Sequence, residues 1–217
     1  MLARADAILA EQGLDGFSIP ALAESLGYSR RSIYMFFPTP YAVLNELARR
    51  YVSRLQGHLE PALKEVGRLS VEWLAAKISF EAASFLNGAP VARLLILGGV
   101  STSRNFCGQE ISNRHLGRLA ERILTAYGYQ IPNAQPDRAA TAIELGTACF
   151  RLSYTSYGHI TEPYVVESAY VMLLYLRDIL ELEEMPGRHE LSVIIKEFAS
   201  ATAPGRDANL RVAQAST

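Results

Sequence analysis

Cysteine is nearly missing from this chain: Cys107 and Cys149 are the only two in 217 residues. They have neither metal-ligand spacing nor the density of a disulfide scaffold, so both are read as small core residues with no function of their own. The four histidines, His58, His115, His159 and His189, also lack ligand spacing, and no metal site or cofactor is expected. No apolar run approaches the ~18 to 20 residues of a membrane span. The first residues lack the charged and apolar regions of a secretory leader, so no membrane partner is expected and the cytoplasm is the expected location. Net charge is only −1, which argues against a protein whose entire surface grips nucleic acid.

Enzyme motifs are equally scarce. His189-Glu190-Leu191-Ser192-Val193 begins like a zinc-protease helix but lacks the second histidine at i+4. Gly99-Val100-Ser101-Thr102-Ser103 matches only the first half of a nucleophile elbow, and Gly98-Gly99 is not followed by the Gly-Lys-Ser/Thr of a phosphate loop. No catalytic residue is assigned, and an all-α enzyme ranks far below a binding protein.

Helix signals dominate what is present. The first helix runs to Gln12, with Leu2, Ala5, Ile8 and Leu9 on one face and Gly13 as its stop. Ser18 is a natural N-cap for a second helix with Pro20 in its first turn, and Ser29 caps a third. Thr39-Pro40 opens a long fourth helix with Val43, Leu44, Leu47, Tyr51 and Leu55 on its apolar face, which Pro61 kinks or ends. The segment Phe17 to Leu44 therefore fits a helix-turn-helix: Ala21, Leu22 and Leu26 brace, Gly27 turns, and Ile33 and Phe37 face inward. Ser29, Arg30, Arg31 and Ser32 then stand at the start of the third helix as donors for base edges or phosphates. Through residue 60 six basic residues balance six acidic ones, yet between Ser25 and Asn45 the only charges are Arg30 and Arg31. Positive potential is concentrated where DNA would lie.

The remainder reads as five or six more helices. Ser70 caps a fifth containing Trp73, Leu74, Lys77, Ile78, Glu81 and Phe85, and Pro90 opens a short apolar sixth ended by Gly98-Gly99. Val100 to Gly108 reads as a loop, and a helix follows to about Tyr127, closed by Gly128 and Pro132. Two long helices span 136 to 157 and 162 to 183, a short one spans His189 to Ser200, and 203–217 is read as a disordered tail. The two long helices are apolar on more than one side, as expected inside a bundle or across a two-fold axis, with plain subunit core as the alternative.

In these residues the chain resembles the tetracycline-repressor (TetR) family of regulators. The carriers are Ala5 to Gly13 (ADAILAEQG), Phe17-Ser18, Leu22-Ala23-Glu24-x-Leu26-Gly27-x-Ser29 and Ser32-Ile33-Tyr34-x-x-Phe37, covering about the first quarter of the chain. The resemblance implies an all-α fold, with a three-helix DNA-binding domain (1–56) and a larger helical ligand-binding and dimerisation domain (57–202). It adds Tyr34 as a phosphate or base contact and Ser18 as a backbone clamp, and Thr39 is left to contact phosphate where the family often has a following lysine but this chain has Pro40. Phe36 replaces a common histidine, exchanging a polar contact for an apolar one; the family pattern begins almost at Met1, so the expectation is either fewer backbone contacts and modest affinity or a start that lies upstream.

The resemblance also implies an effector pocket, for which Trp73, Phe80, Phe106, Tyr127, Phe150, Arg151 and Tyr154 are the candidate lining, with Phe85, His115 and Tyr157 nearby. It implies a four-helix homodimer interface, for which Ile143, Gly146, Phe150, Val166, Tyr170, Leu173, Leu176 and Leu180 are the candidates. The resulting expectation is a repressor released from a near-palindromic operator in double-stranded DNA by a small apolar or aromatic effector. The alternative is a homologue that keeps the fold, binds a ligand or a protein, and has lost specific DNA binding.

Overall fold

The computed structural model describes residues 1–65, 67–98, 108–131 and 135–202. The described residues form ten α-helices and no strand. The expected loop from Val100, the residues Phe106, Cys107 and Pro132, and the 203–217 tail lie outside them.

The N-terminal head comprises α1 (Leu2–Gln12), α2 (Ile19–Leu26) and α3 (Arg30–Phe36), and α4 (Pro40–Leu59) leads out of it. Ala5, Ile8 and Leu9 of α1 bury against Leu22, Ile33, Val43 and Leu47, and at no more than 4 % exposure they form a dry centre. Tyr51 of α4 donates its hydroxyl to Asp6 Oδ1 of α1 at 2.7 Å. Burial, reinforced by that carboxylate, pushes the Tyr51 pKa up to about 12. Residue 56 falls within α4, which continues to Leu59 before a 3₁₀ turn over Glu60–Glu65.

The larger domain contains α5 (Val71–Gly88), α6 (Pro90–Leu97), α7 (Gly108–Ala126), α8 (Arg138–Tyr157), α9 (Glu162–Leu176) and α10 (Arg188–Thr202). No single helix among the described residues is long and apolar enough to cross a membrane; α5 and α6 bend by 114° at their junction. The bend is held by Arg93, which donates to the Asn87 carbonyl at 3.1 Å, while Asn87 bonds both the carbonyl and N–H of Ile160 at 2.8 and 2.9 Å. Short α6 packs against α1 and α4 of the head and against α5, α7 and α8.

Two expectations are corrected. Ser70 stands at the N-cap of α5 but makes no side-chain capping bond. α9 ends at Leu176 and not near 183, because the Arg177 guanidinium takes the carbonyls of Leu182 (3.2 Å) and Glu183 (3.0 Å) and Glu181 adopts positive φ. Those contacts fold the chain back into turns before α10, whose Arg188 forks onto Glu167 of α9 at 2.6 and 2.8 Å.

Candidate nucleic-acid interface and effector cavities

The helix-turn-helix is shaped by three hydroxyl caps in succession. Ser18 Oγ accepts from Ala21 N–H (3.2 Å), Ser29 Oγ from Ser32 N–H (3.1 Å) and Thr39 Oγ1 from Ala42 N–H (3.2 Å). Each bond satisfies a helix-start donor with an oxygen lone pair. Ser29 also shares a 2.8 Å hydroxyl contact with Ser32, which ties both donors to the first turn of α3. Gly27 sits at φ 66°, ψ 25°, a left-handed turn that suits a residue without Cβ, and its N–H closes onto the Ala23 and Glu24 carbonyls. The turn thus sets α3 against α2 while Ile33, with no exposed surface, anchors its inner face.

The outer face of α3 brings together Arg30, Arg31, Tyr34, Met35 and Phe36, all exposed. Neither arginine has an ion-pair partner among the described residues, whereas Arg49 and Arg50 on α4 both engage Glu46. The guanidinium groups are therefore available to an anion or a base edge. Beside them stands Phe36, 66 % exposed, where an apolar contact was expected, together with Met35 at 79 % and Tyr28 at the preceding turn, which sequence reasoning left out. Exposed bulk of this kind on a helix of 7 residues is the signal that was available in the Tyr34-Met35-Phe36 run.

The expected aromatic pocket is not assembled. Of its described candidates only Phe150 lines either of two cavities in the domain core, and Phe106 lies outside the described residues. Trp73 and Phe80 instead pack on Phe198 of α10, with ring centroids at 5.8 and 6.3 Å, and line two separate, larger pockets of about 420 and 300 Å³ beside α10. Tyr127 donates to the Leu69 carbonyl at 2.8 Å, Arg151 pairs with Glu144 at 3.2 Å, and Tyr154 lies under Arg93. Aromatic residues here were drawn to helix packing by their large apolar area.

What the core holds is a pair of adjoining apolar cavities of about 60 and 80 Å³. Ile78, Ala120, Ile123, Ile143 and Met172 wall both. The first also carries Leu59 from the end of α4 and the hydroxyls of Ser79, Thr147 and Ser168. Ser79 is 1 % exposed and its Oγ has no hydrogen-bond partner. Leu55 and Leu59 join Leu74, Leu116, Leu119 and Ile123 in one apolar cluster, so the helix leaving the head ends against the cavity wall.

Most residues expected at a dimer face are engaged inside the subunit. Phe150, Val166, Leu173, Leu176 and Leu180 are buried within one chain, and Gly146 closes the α8–α9 contact, where any Cβ would meet Met172 Sδ and Ser168 Oγ at 2.9 Å. Ile143 faces the cavities, and Tyr170 lies beneath the Arg188 guanidinium at 3.8 Å. The exposed large hydrophobic side chains of these helices are instead Leu145, Leu152, Tyr157 and Leu174. Both stripes were apolar in sequence, and packing inside the subunit selected the one with the small residues.

The architecture is an all-helical one, a helix-turn-helix head on a larger helical body. Residues 1–47 match the family model described as bacterial regulatory proteins, tetR family. The first 47 residues are thus a tetR-family helix-turn-helix domain, and the whole fold is TetR-like. Similar solved structures include a TetR-family transcriptional regulator from Streptomyces coelicolor, 20 % identical, TM-score 0.54, covering 82 % of this chain and 96 % of that one. A protein of Mesorhizobium loti MAFF303099 assigned to the same family is 15 % identical at TM-score 0.54, with 82 % and 93 % covered. A protein of unknown function from Rhodococcus sp. RHA1 is 22 % identical, also at 0.54, with 82 % and 93 % covered. No curated protein sequence matches the chain.

Proposed function

We propose that the chain is a DNA-binding transcriptional regulator, acting as a homodimeric repressor that a small apolar or aromatic effector releases from its operator. The observation that carries this reading is the capped, turn-locked α3 with Arg30 and Arg31 exposed, without ion-pair partners among the described residues, in a stretch from Ser25 to Asn45 that holds no acidic residue. Arg30 and Arg31 read base edges or phosphates, and Tyr34 and the capping hydroxyls of Ser18, Ser29 and Thr39 hold the backbone. Met35 and Phe36 add apolar contact of the kind a thymine methyl group accepts.

Two α3 helices must meet successive major grooves, about 34 Å apart, so a dimer is required for tight operator binding. Leu145, Leu152 and Leu174, exposed on α8 and α9, form the pairing face in this reading. Effector release follows if cavity occupancy moves Leu59 and with it α4, because a ligand shifts an equilibrium only through differential contact with its two states. The head is soluble in the cytoplasm on this account, and no catalysis is assigned to it.

A second reading, a TetR-fold protein whose head docks a protein and not DNA, draws on the exposed Tyr28, Met35 and Phe36 and on Pro40. A shift assay of the full chain on its own upstream intergenic DNA separates the two. Retarded DNA at low salt, reduced by Arg30→Ala and by Arg31→Ala, is the expected outcome, and no retardation at 50 mM salt or below favours the second reading.

A further inference from the structure

We infer that the paired cavities take a compact, uncharged aromatic molecule bearing one hydroxyl or comparable hydrogen-bonding group, and that Ser79 is its polar anchor. This rests on the effector part of the reading above and gives that effector a size, a charge and a point of attachment.

Size comes first. The two cavities, about 60 and 80 Å³, share five wall residues. Met172 is the most adaptable member of that shared wall, an unbranched thioether that changes rotamer at low cost. With Met172 turned aside, the joined space approaches the ~150 Å³ that holds one benzene in an engineered apolar cavity. A single ring fits, and a steroid or a multi-ring drug does not.

Charge is decided by the lining. No ionisable side chain lines either cavity, so a carboxylate or ammonium buried there would lose its hydration without a counter-charge. Polarity is decided by Ser79. Its hydroxyl, on the inner face of α5, is almost wholly buried and lacks a partner, which is costly unless something in the cavity supplies one. Thr147 and Ser168 place two further hydroxyls on the same cavity and none on the other, so the ligand's polar end points into the first cavity and its ring toward the second.

The test uses the full chain, phenol, toluene and benzoate, with binding followed by thermal shift and calorimetry and its location by the Met172 methyl resonance, assigned with Met172→Leu. Phenol and toluene are expected to bind and to move the Met172 signal, and benzoate to do neither. Ser79→Ala is expected to fold with an unchanged or higher Tm, since it removes an unpartnered hydroxyl, and to lower the phenol-to-toluene affinity ratio roughly 2- to 12-fold, the loss of one neutral hydrogen bond. Absence of binding by both neutral rings, benzoate binding as well as phenol, an unmoved Met172 methyl, or an affinity ratio unchanged in Ser79→Ala would each overturn the inference. None of these readouts involves DNA, so their failure leaves the DNA reading standing, and failure of the shift assay leaves the cavity result standing.

Discussion

The head and the larger domain are built by different means from similar residues. In the head, α2, α3 and α4 each start on a hydroxyl that accepts an N–H three residues on. In the larger domain, among the described residues, α8 alone repeats that device, with Asp137 Oδ1 accepting from Ala140 N–H at 2.9 Å, whereas Ser70 and Thr161 occupy the same positions before α5 and α9 without making that bond, and those helices are held by apolar packing and long-range ties such as Asn87 to Ile160. Both apolar cavities lie in the larger domain. The contrast fits the two tasks proposed above: a head that reads DNA would need a fixed angle between short helices, whereas a body that senses a ligand would need space for it and walls that can repack.

The largest effect that tests this contrast is expected in the head. Leu22→Ala, at a site with no exposed surface, should cost about 2–5 kcal/mol in denaturant unfolding, because a tightly filled centre cannot collapse around the void. A cost under 1 kcal/mol would mean that the head is as loosely packed as the body. Next come the caps: Thr39→Ala should cost ~1 kcal/mol, and Ser70→Ala should fall within a few tenths of zero. Equal costs for the two would erase the distinction drawn here.

A smaller and pH-dependent effect belongs to the α1–α4 tie. Burial, then the Asp6 carboxylate, raises the Tyr51 pKa from 10.0 to about 12, so the protonated phenol is favoured by folding. Its contribution is therefore complete below pH 10 and is lost as pH rises toward 12. Tyr51→Phe should lower stability by about 1 kcal/mol at neutral pH and flatten this alkaline loss, as read from unfolding curves at several pH values.

The same contrast explains what could be read from the sequence. Ser18, Ser29, Thr39 and Gly27 act on neighbours three or four residues away, so their spacing already specified the head. Trp73 and Phe80 meet Phe198, more than a hundred residues later, and nothing local announces that they leave the cavity to aliphatic side chains. α8 and α9 carry two apolar stripes each, and only the close approach at Gly146 decides that Val166, Leu173 and Leu176 turn inward while Leu145, Leu152 and Leu174 remain outside. Ser70 looks like Ser18 in sequence, but its side chain does not reach the first turn of its helix.

The central claim is that α3 reads DNA through Arg30 and Arg31, and the most direct test is the affinity of wild type and Arg30→Ala for an operator selected from random duplexes and for a scrambled duplex, at one salt concentration. A base-reading arginine predicts that Arg30→Ala weakens operator binding by about 5- to 150-fold, equivalent to ~1–3 kcal/mol, and narrows the operator-to-scrambled ratio. Wild-type protein that binds operator and scrambled DNA equally, or a variant indistinguishable from it on both, would contradict the account.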